Sequence, residues 1–207
     1  MLKITHLLPR ATLCLFLPFI VSSVYADCNG FAGEFGCANV TANFTATIRG
    51  DTCLVTISGG EGDDTSQTIT IGDSNGKVSI DDINNNGSTA SKAFTINATE
   101  CPLALPKFNT TIDGEQEPGA PKILKNQAIV GAAAGVGIYI STAAAPTDPL
   151  SLKSKIDYGT FGWAQVSKDI FTQSIKANLY ATLTPLPGGN LTTGDVIAKA
   201  VFHFDYD

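Results

Sequence analysis

The last fourteen residues, Gly194-Asp195-Val196-Ile197-Ala198-Lys199-Ala200-Val201-Phe202-His203-Phe204-Asp205-Tyr206-Asp207, constrain the fold more than any other stretch. Ala198, Ala200, Phe202, Phe204 and Tyr206 recur at a spacing of two, with Lys199, His203 and Asp205 between them. Side chains alternate faces along a strand. The spacing therefore predicts a half-buried β-strand with one small-to-aromatic face and one mostly polar face. Chain ends fray unless tertiary contacts hold them, so an apolar row at this position requires a partner that covers it.

The opposite end reads differently. Lys3 and Arg10 precede an apolar run from Ala11 to Val24 that closes in Val24-Tyr25-Ala26. A basic flank, a short apolar core and a small boundary residue predict a secretory signal over residues 1–26, cut after Ala26. The run is too short for a membrane helix and contains Pro18. Asp27 before Cys28 does not suit a lipoprotein signal. Removing Lys3 and Arg10 leaves eleven basic residues against nineteen acidic, a net charge of −8. That balance argues against nucleic acid or an anionic membrane as partner. Cys28, Cys37, Cys53 and Cys101 remain, an even number in a secreted chain, and are expected to be oxidised. Three pairings are open. No cysteine stands at metal-ligand spacing from His203, the one histidine left after residue 26, and neither a metal nor a cofactor is expected.

Residues 27–39 are rich in glycine and cysteine, and form an N-terminal extension that is either a short strand or a disulfide-closed loop. From Val40 the pattern changes. Phe44, Ala46 and Ile48, then Leu54, Val55 and Ile57, predict a long strand broken near Arg49-Gly50-Asp51. Gly59 to Asp64 reads as a polar turn. Strands are predicted at Thr68–Gly72, Lys77–Ile83 and Ala93–Ala98, the last leading into Cys101. Residues 102–126 read as loop with one short strand at most. The second half of Ala128–Ile140 is a buried strand, the glycines of its first half weaken any helix there, and 142–155 is loop. Strands follow around Phe161-Gly162-Trp163 and over Ile175–Thr184. Many short strands separated by Gly, Pro and Asn turns, without a long amphipathic helix, predict an all-β sandwich of immunoglobulin type.

Laid out this way, the sequence resembles the pilin family of chaperone–usher fimbriae, the type 1 subunits in particular. Four blocks carry the resemblance: Phe44-x-Ala46-x-Ile48 nine residues before Cys53; Phe94-x-Ile96 before Cys101; Gly135-Val136-Gly137-Ile138-x-Ile140; and Ile175-Lys176-Ala177-x-x-Tyr180-Ala181-Thr182, followed by Gly194, Ala198, Ala200, Phe202 and the penultimate Tyr206. Together they span residues 40–207, the pilin domain.

The resemblance implies an incomplete immunoglobulin-like sandwich whose apolar groove is completed by a donated strand. An open groove exposes a sheet edge and a core face together. A periplasmic chaperone is expected to lend that strand first, docking on Ala198, Ala200, Phe202, Phe204 and Tyr206. At the outer-membrane usher, a neighbouring subunit's N-terminal extension would replace it by strand addition. The resemblance also pairs Cys53 with Cys101, which leaves Cys28 and Cys37 to each other. In major subunits the donor segment is unbridged, whereas here Cys28 and Cys37 bracket it. Either the donor strand starts nearer Phe35, or the subunit does not donate and sits at the tip. Phe31-Ala32-Gly33-Glu34-Phe35 keeps a donor's alternation, so Phe31, Gly33 and Phe35 are the candidate donor positions.

Other motifs have plainer readings. Asp82-Ile83-Asn84-Asn85-Asn86-Gly87 matches the first half of a calcium loop, but its twelfth position is Ala93 where a bidentate Glu is needed. Gly59-Gly60-Glu61-Gly62-x-Asp64 resembles one calcium repeat, and such units work only in stacks. Arg49-Gly50-Asp51 and the sequons at Asn39, Asn43, Asn86, Asn97, Asn109 and Asn190 are read as turn and strand residues. His203 has no nucleophile motif beside it, so no catalytic residue is expected. The expected protein is a structural subunit of an adhesive surface fibre, exported through the periplasm. The alternative is a single-domain tip adhesin binding a host receptor or glycan, with Trp163, Tyr139 and Tyr158 as stacking platforms that core aromatics explain equally well.

Overall fold

The computed structural model describes residues 37–47, 53–103, 108–170 and 172–206; for 37–42, 44–47 and 206 it describes the backbone. Its elements are β1 (Cys37–Thr47), β2 (Leu54–Ser58), β3 (Glu61–Asp63), β4 (Ser66–Ile71), β5 (Lys77–Ser79), α1 (Ile80–Asn85), β6 (Ser91–Pro102), β7 (Phe108–Gly114), β8 (Gln116–Glu117), β9 (Ala120–Lys125), β10 (Val136–Thr142), β11 (Lys155–Ile156), β12 (Trp163–Lys168), β13 (Thr172–Pro185) and β14 (Val196–Tyr206). They form two sheets. One runs β11-β7-β14-β1-β4-β3, with β5 also on β1. The other runs β2-β6-β13-β10-β9-β8, with β12 also on β13.

The sandwich follows from alternation. β4 buries Ile69 and Ile71, β6 buries Phe94, Ile96 and Ala98, and β13 buries Ile175, Ala177, Leu179, Ala181 and Leu183. Those rows face one another and make one core. β10 is buried along its whole length, as expected of a strand covered on both faces. Its Gly137 makes room for β9: a Cβ there would lie 2.3 Å from the Ile123 side chain and 2.9 Å from the Leu124 carbonyl.

Aromatic rings fill one end. Phe108, Phe161, Trp163, Phe202 and Phe204 meet with neighbouring centroids 5.0 to 6.3 Å apart. Trp163 of one sheet donates its indole N–H to Thr110 Oγ1 of the other at 3.1 Å, and both residues are buried. This bond pins β12 to β7 across the sandwich. The Cys53–Cys101 disulfide is formed, with Cα atoms 4.4 Å apart. It ties the start of β2 to the end of β6, which pair antiparallel through Leu54 and Thr99.

Three readings of the sequence change. The strand read over Lys77–Ile83 stops at Ser79, and the chain turns into α1. Ser79 caps the helix by accepting from the Asp82 N–H, Asp81 and Asp82 favour its first turn, and Asn86 closes it in the left-handed region. Residues 102–126 hold β7, β8 and β9 rather than one short strand at most. The long broken strand is two strands in different sheets, β1 and β2; the predicted break at Arg49-Gly50-Asp51 lies outside the described residues.

Candidate functional site

The final strand is not an edge. On one side β14 pairs antiparallel with β7, from Ala200 opposite Gly114 to Tyr206 opposite Phe108. On the other it pairs parallel with β1, from Val40 opposite Val196 to Thr47 opposite His203. β1 in turn pairs antiparallel with β4, from Val40 opposite Ile71 to Thr45 opposite Ser66. The slot between β4 and β14 is therefore filled by the chain's own N-terminal strand. In this single chain β1 takes the place along β14 where the resemblance expects a donated strand.

The walls of the slot are apolar and buried. Val196, Ala198, Ala200, Phe202 and Phe204 are all at most 2% exposed, as are Ile69 and Ile71 of β4. The register sets Val40, Ala42, Phe44 and Ala46 opposite Val196, Ala198, Ala200 and Phe202. In the backbone register Phe44 stands opposite Ala200, and Phe202 stands opposite Ala46. On the polar side Thr68 Oγ1 donates to Asn43 Oδ1 at 2.7 Å. Lys155 approaches Asp205 at 3.8 Å.

The β1–β14 ladder is parallel, whereas every other ladder between the described strands is antiparallel. Parallel neighbours need a long crossover, and here most of the domain lies between Thr47 and Val196.

The predicted site residues divide. Ala198, Ala200, Phe202 and Phe204 line the slot wall and the core. Tyr206 ends the ladder opposite Phe108. Cys37 pairs through its backbone register with Ser79. Phe31, Gly33, Phe35 and Cys28, and with them the predicted Cys28–Cys37 bond, lie outside the described residues. Among the described residues, the strand that enters the slot is β1, Cys37–Thr47. Sequence reading assigned Phe44, Ala46 and Ile48 to an ordinary sandwich strand; the overlooked signal is the period-two run from Val40.

The remaining candidates are structural. Trp163 is 5% and Tyr139 6% exposed, and Tyr139 Oη donates to the Pro146 carbonyl at 3.1 Å. Tyr158 packs partly buried against the core, and that burial raises its phenol pKa. Neither Trp163 nor Tyr139 presents an open stacking face. The half calcium loop is helix α1 and its C-cap, where Asp82 accepts from the Thr89 hydroxyl. Gly59–Asp64 includes β3 of a hairpin, and Asp63 accepts from Thr65 N at 2.8 Å and Ser66 N at 2.7 Å. Those bonds hold its carboxyl below the usual range, the Thr65 N–H contributing most. His203 is half-buried opposite Thr111. Among the described residues no three His, Cys, Asp or Glu side chains converge to hold a metal.

The chain belongs to the fimbrial protein family, whose model matches residues 42–207. It is thus a fimbrial subunit, a protein of the cell surface. No curated protein matches the sequence. Among solved structures, the chain is similar to the CupB6 tip adhesin from Pseudomonas aeruginosa at 16% identity and a TM-score of 0.36. That match covers 55% of this chain and 33% of the adhesin, so the chain spans about a third of its length.

Proposed function

We propose that this protein is a structural subunit of a chaperone–usher fimbria and polymerises by exchanging the strand in the β4–β14 slot. The observation that carries this reading is the parallel seat of β1 between β14 and β4. A strand held there by its backbone register can be replaced by the equivalent strand of another copy. The subunit's own β1 is then free to fill the next slot. Backbone bonds supply the affinity and alternate pockets the specificity, as in strand addition generally. During export a periplasmic chaperone protects the slot until the usher delivers the neighbour. The shaft reading is favoured over a tip adhesin because two of the three aromatic candidates for a glycan platform, Trp163 and Tyr139, are buried.

Immunogold labelling of fibres on expressing cells tests this. Labelling along the shaft is expected, and deletion of residues 37–47 should abolish it. Labelling confined to the fibre end would overturn the shaft reading in favour of a tip subunit.

A further inference from the structure

Two apolar side chains have no place in the sandwich. Ile129 is 96% and Val130 80% exposed, the most exposed large hydrophobic residues among those described. They sit on a loop that is bonded in place. Asn126 Nδ2 donates to the carbonyls of Ala133 and Asp195, and its Oδ1 accepts from the N–H groups of Ala128 and Ile197. Gln127 N donates to the Ile197 carbonyl, Ala133 N to that of Asp195, and Asp195 N to that of Gly131. Gly194 packs beneath, at φ +151°, where a Cβ would lie 2.3 Å from the Gly131 carbonyl. The loop is thus ordered before any partner arrives, which removes much of the entropy cost of binding. Exposed, ordered, adjacent apolar side chains mark contact sites more often than isolated ones do.

We infer that the Ile129–Val130 loop is a docking surface for a second copy of this chain, the copy whose strand occupies the slot. This rests on the strand-exchange reading of the slot. The loop is bonded to Asp195 and Ile197, at the end of β14 where Val40 meets Val196. A strand replacing β1 has one of its ends at that level whichever way it runs. If it runs parallel, the second copy's preceding residues leave past the loop. If it runs antiparallel, the second copy's domain follows there. In the antiparallel case, at about 3.3 Å per residue, a few residues bring that copy's domain over Ile129 and Val130; in the parallel case its preceding residues make the contact. Charge agrees. Copies of a chain with net charge −8 after residue 26 repel, but no charged residue occurs between Lys125 and Asp148. Asp195 is the acidic residue bonded to the loop at Gly131 and Ala133, and two acidic copies can meet here with few like charges opposed.

The test uses the full chain in fibres sheared from expressing cells, with benzoylphenylalanine as photo-crosslinker at position 130. Crosslinks between copies are expected in fibres and none in monomer. The double variant Ile129→Ser/Val130→Ser should leave monomer unfolding unchanged and lower fibre yield about tenfold, the effect of losing central apolar contacts. Ile170→Ser, 78% exposed on the turn between β12 and β13, should lower neither. Normal fibres without inter-copy crosslinks, or a double variant that assembles at the wild-type level, would overturn the docking surface and leave strand exchange standing. A wild-type chain that forms no fibre would overturn strand exchange, and this inference with it.

Discussion

Replacing Thr110 by valine should destabilise the domain through one buried donor. Thr110 is fully buried, and its Oγ1 accepts the Trp163 indole N–H across the two sheets. Valine keeps the shape and removes the acceptor. The indole N–H is then buried without a partner among rings of Phe108, Phe161 and Phe204. An unsatisfied buried donor costs about 1–3 kcal/mol. Against a total stability of about 5–15 kcal/mol, that is a clear shift of the denaturation midpoint. The cost belongs to the pair, so a double-mutant cycle isolates it. In a Trp163→Phe background the donor is gone, and Thr110→Val should cost less than about 0.5 kcal/mol. Guanidinium unfolding followed by circular dichroism measures all four chains on one footing. Equal cost in both backgrounds would refute the claim that this bond pins the sheets.

Three further outcomes follow from the same geometry. Replacing Cys53 and Cys101 by serine should lower unfolding stability by about 4 kcal/mol, since the bond closes a separation of 48 residues; an unchanged midpoint would show that the unfolded chain is not constrained by it. Asp63, Asp73 and Asp157 all have lowered pKa values, through N–H groups of Thr65, Lys77 and Thr160 respectively. A depressed carboxyl stabilises above its unfolded pKa and loses that contribution as pH falls through the folded value, so stability should decline below about pH 4. Asparagine at the three positions should flatten that acid limb in pH-jump unfolding, and an unaltered limb would assign it elsewhere.

Much of the fold was legible because its signals are local. The alternation of β14, β6 and β13 is a period-two pattern within single strands, and burial follows it residue by residue. The turn from β5 into α1 escaped because Val78 and Ile80 continue the strand period, while Ser79, Asp81 and Asn86 set the helix through capping. β7 escaped because Thr110 occupies a core position that its hydroxyl does not announce; only the bond from Trp163 makes threonine a core residue there. The site was half legible. The slot wall at Ala198, Ala200 and Phe202 reads directly from the sequence. Its occupant does not, because the pairing of Val40 with Val196 joins opposite ends of the domain and no local pattern encodes it. The candidate donor positions Phe31, Gly33 and Phe35 lie outside the described residues, the first of which belong to β1.

The central claim, that residues 37–47 close the β4–β14 slot and can be replaced there, is tested most directly by supplying that strand from outside. The chain lacking residues 27–47 is compared with the same chain plus a synthetic peptide of residues 37–47, with Cys37 as serine. Calorimetry and thermal unfolding read the result. The account predicts a truncated chain that melts early or aggregates, binds the peptide one to one, and regains the melting temperature of the intact chain. A truncated chain with an unchanged melting temperature and no measurable peptide binding would contradict it.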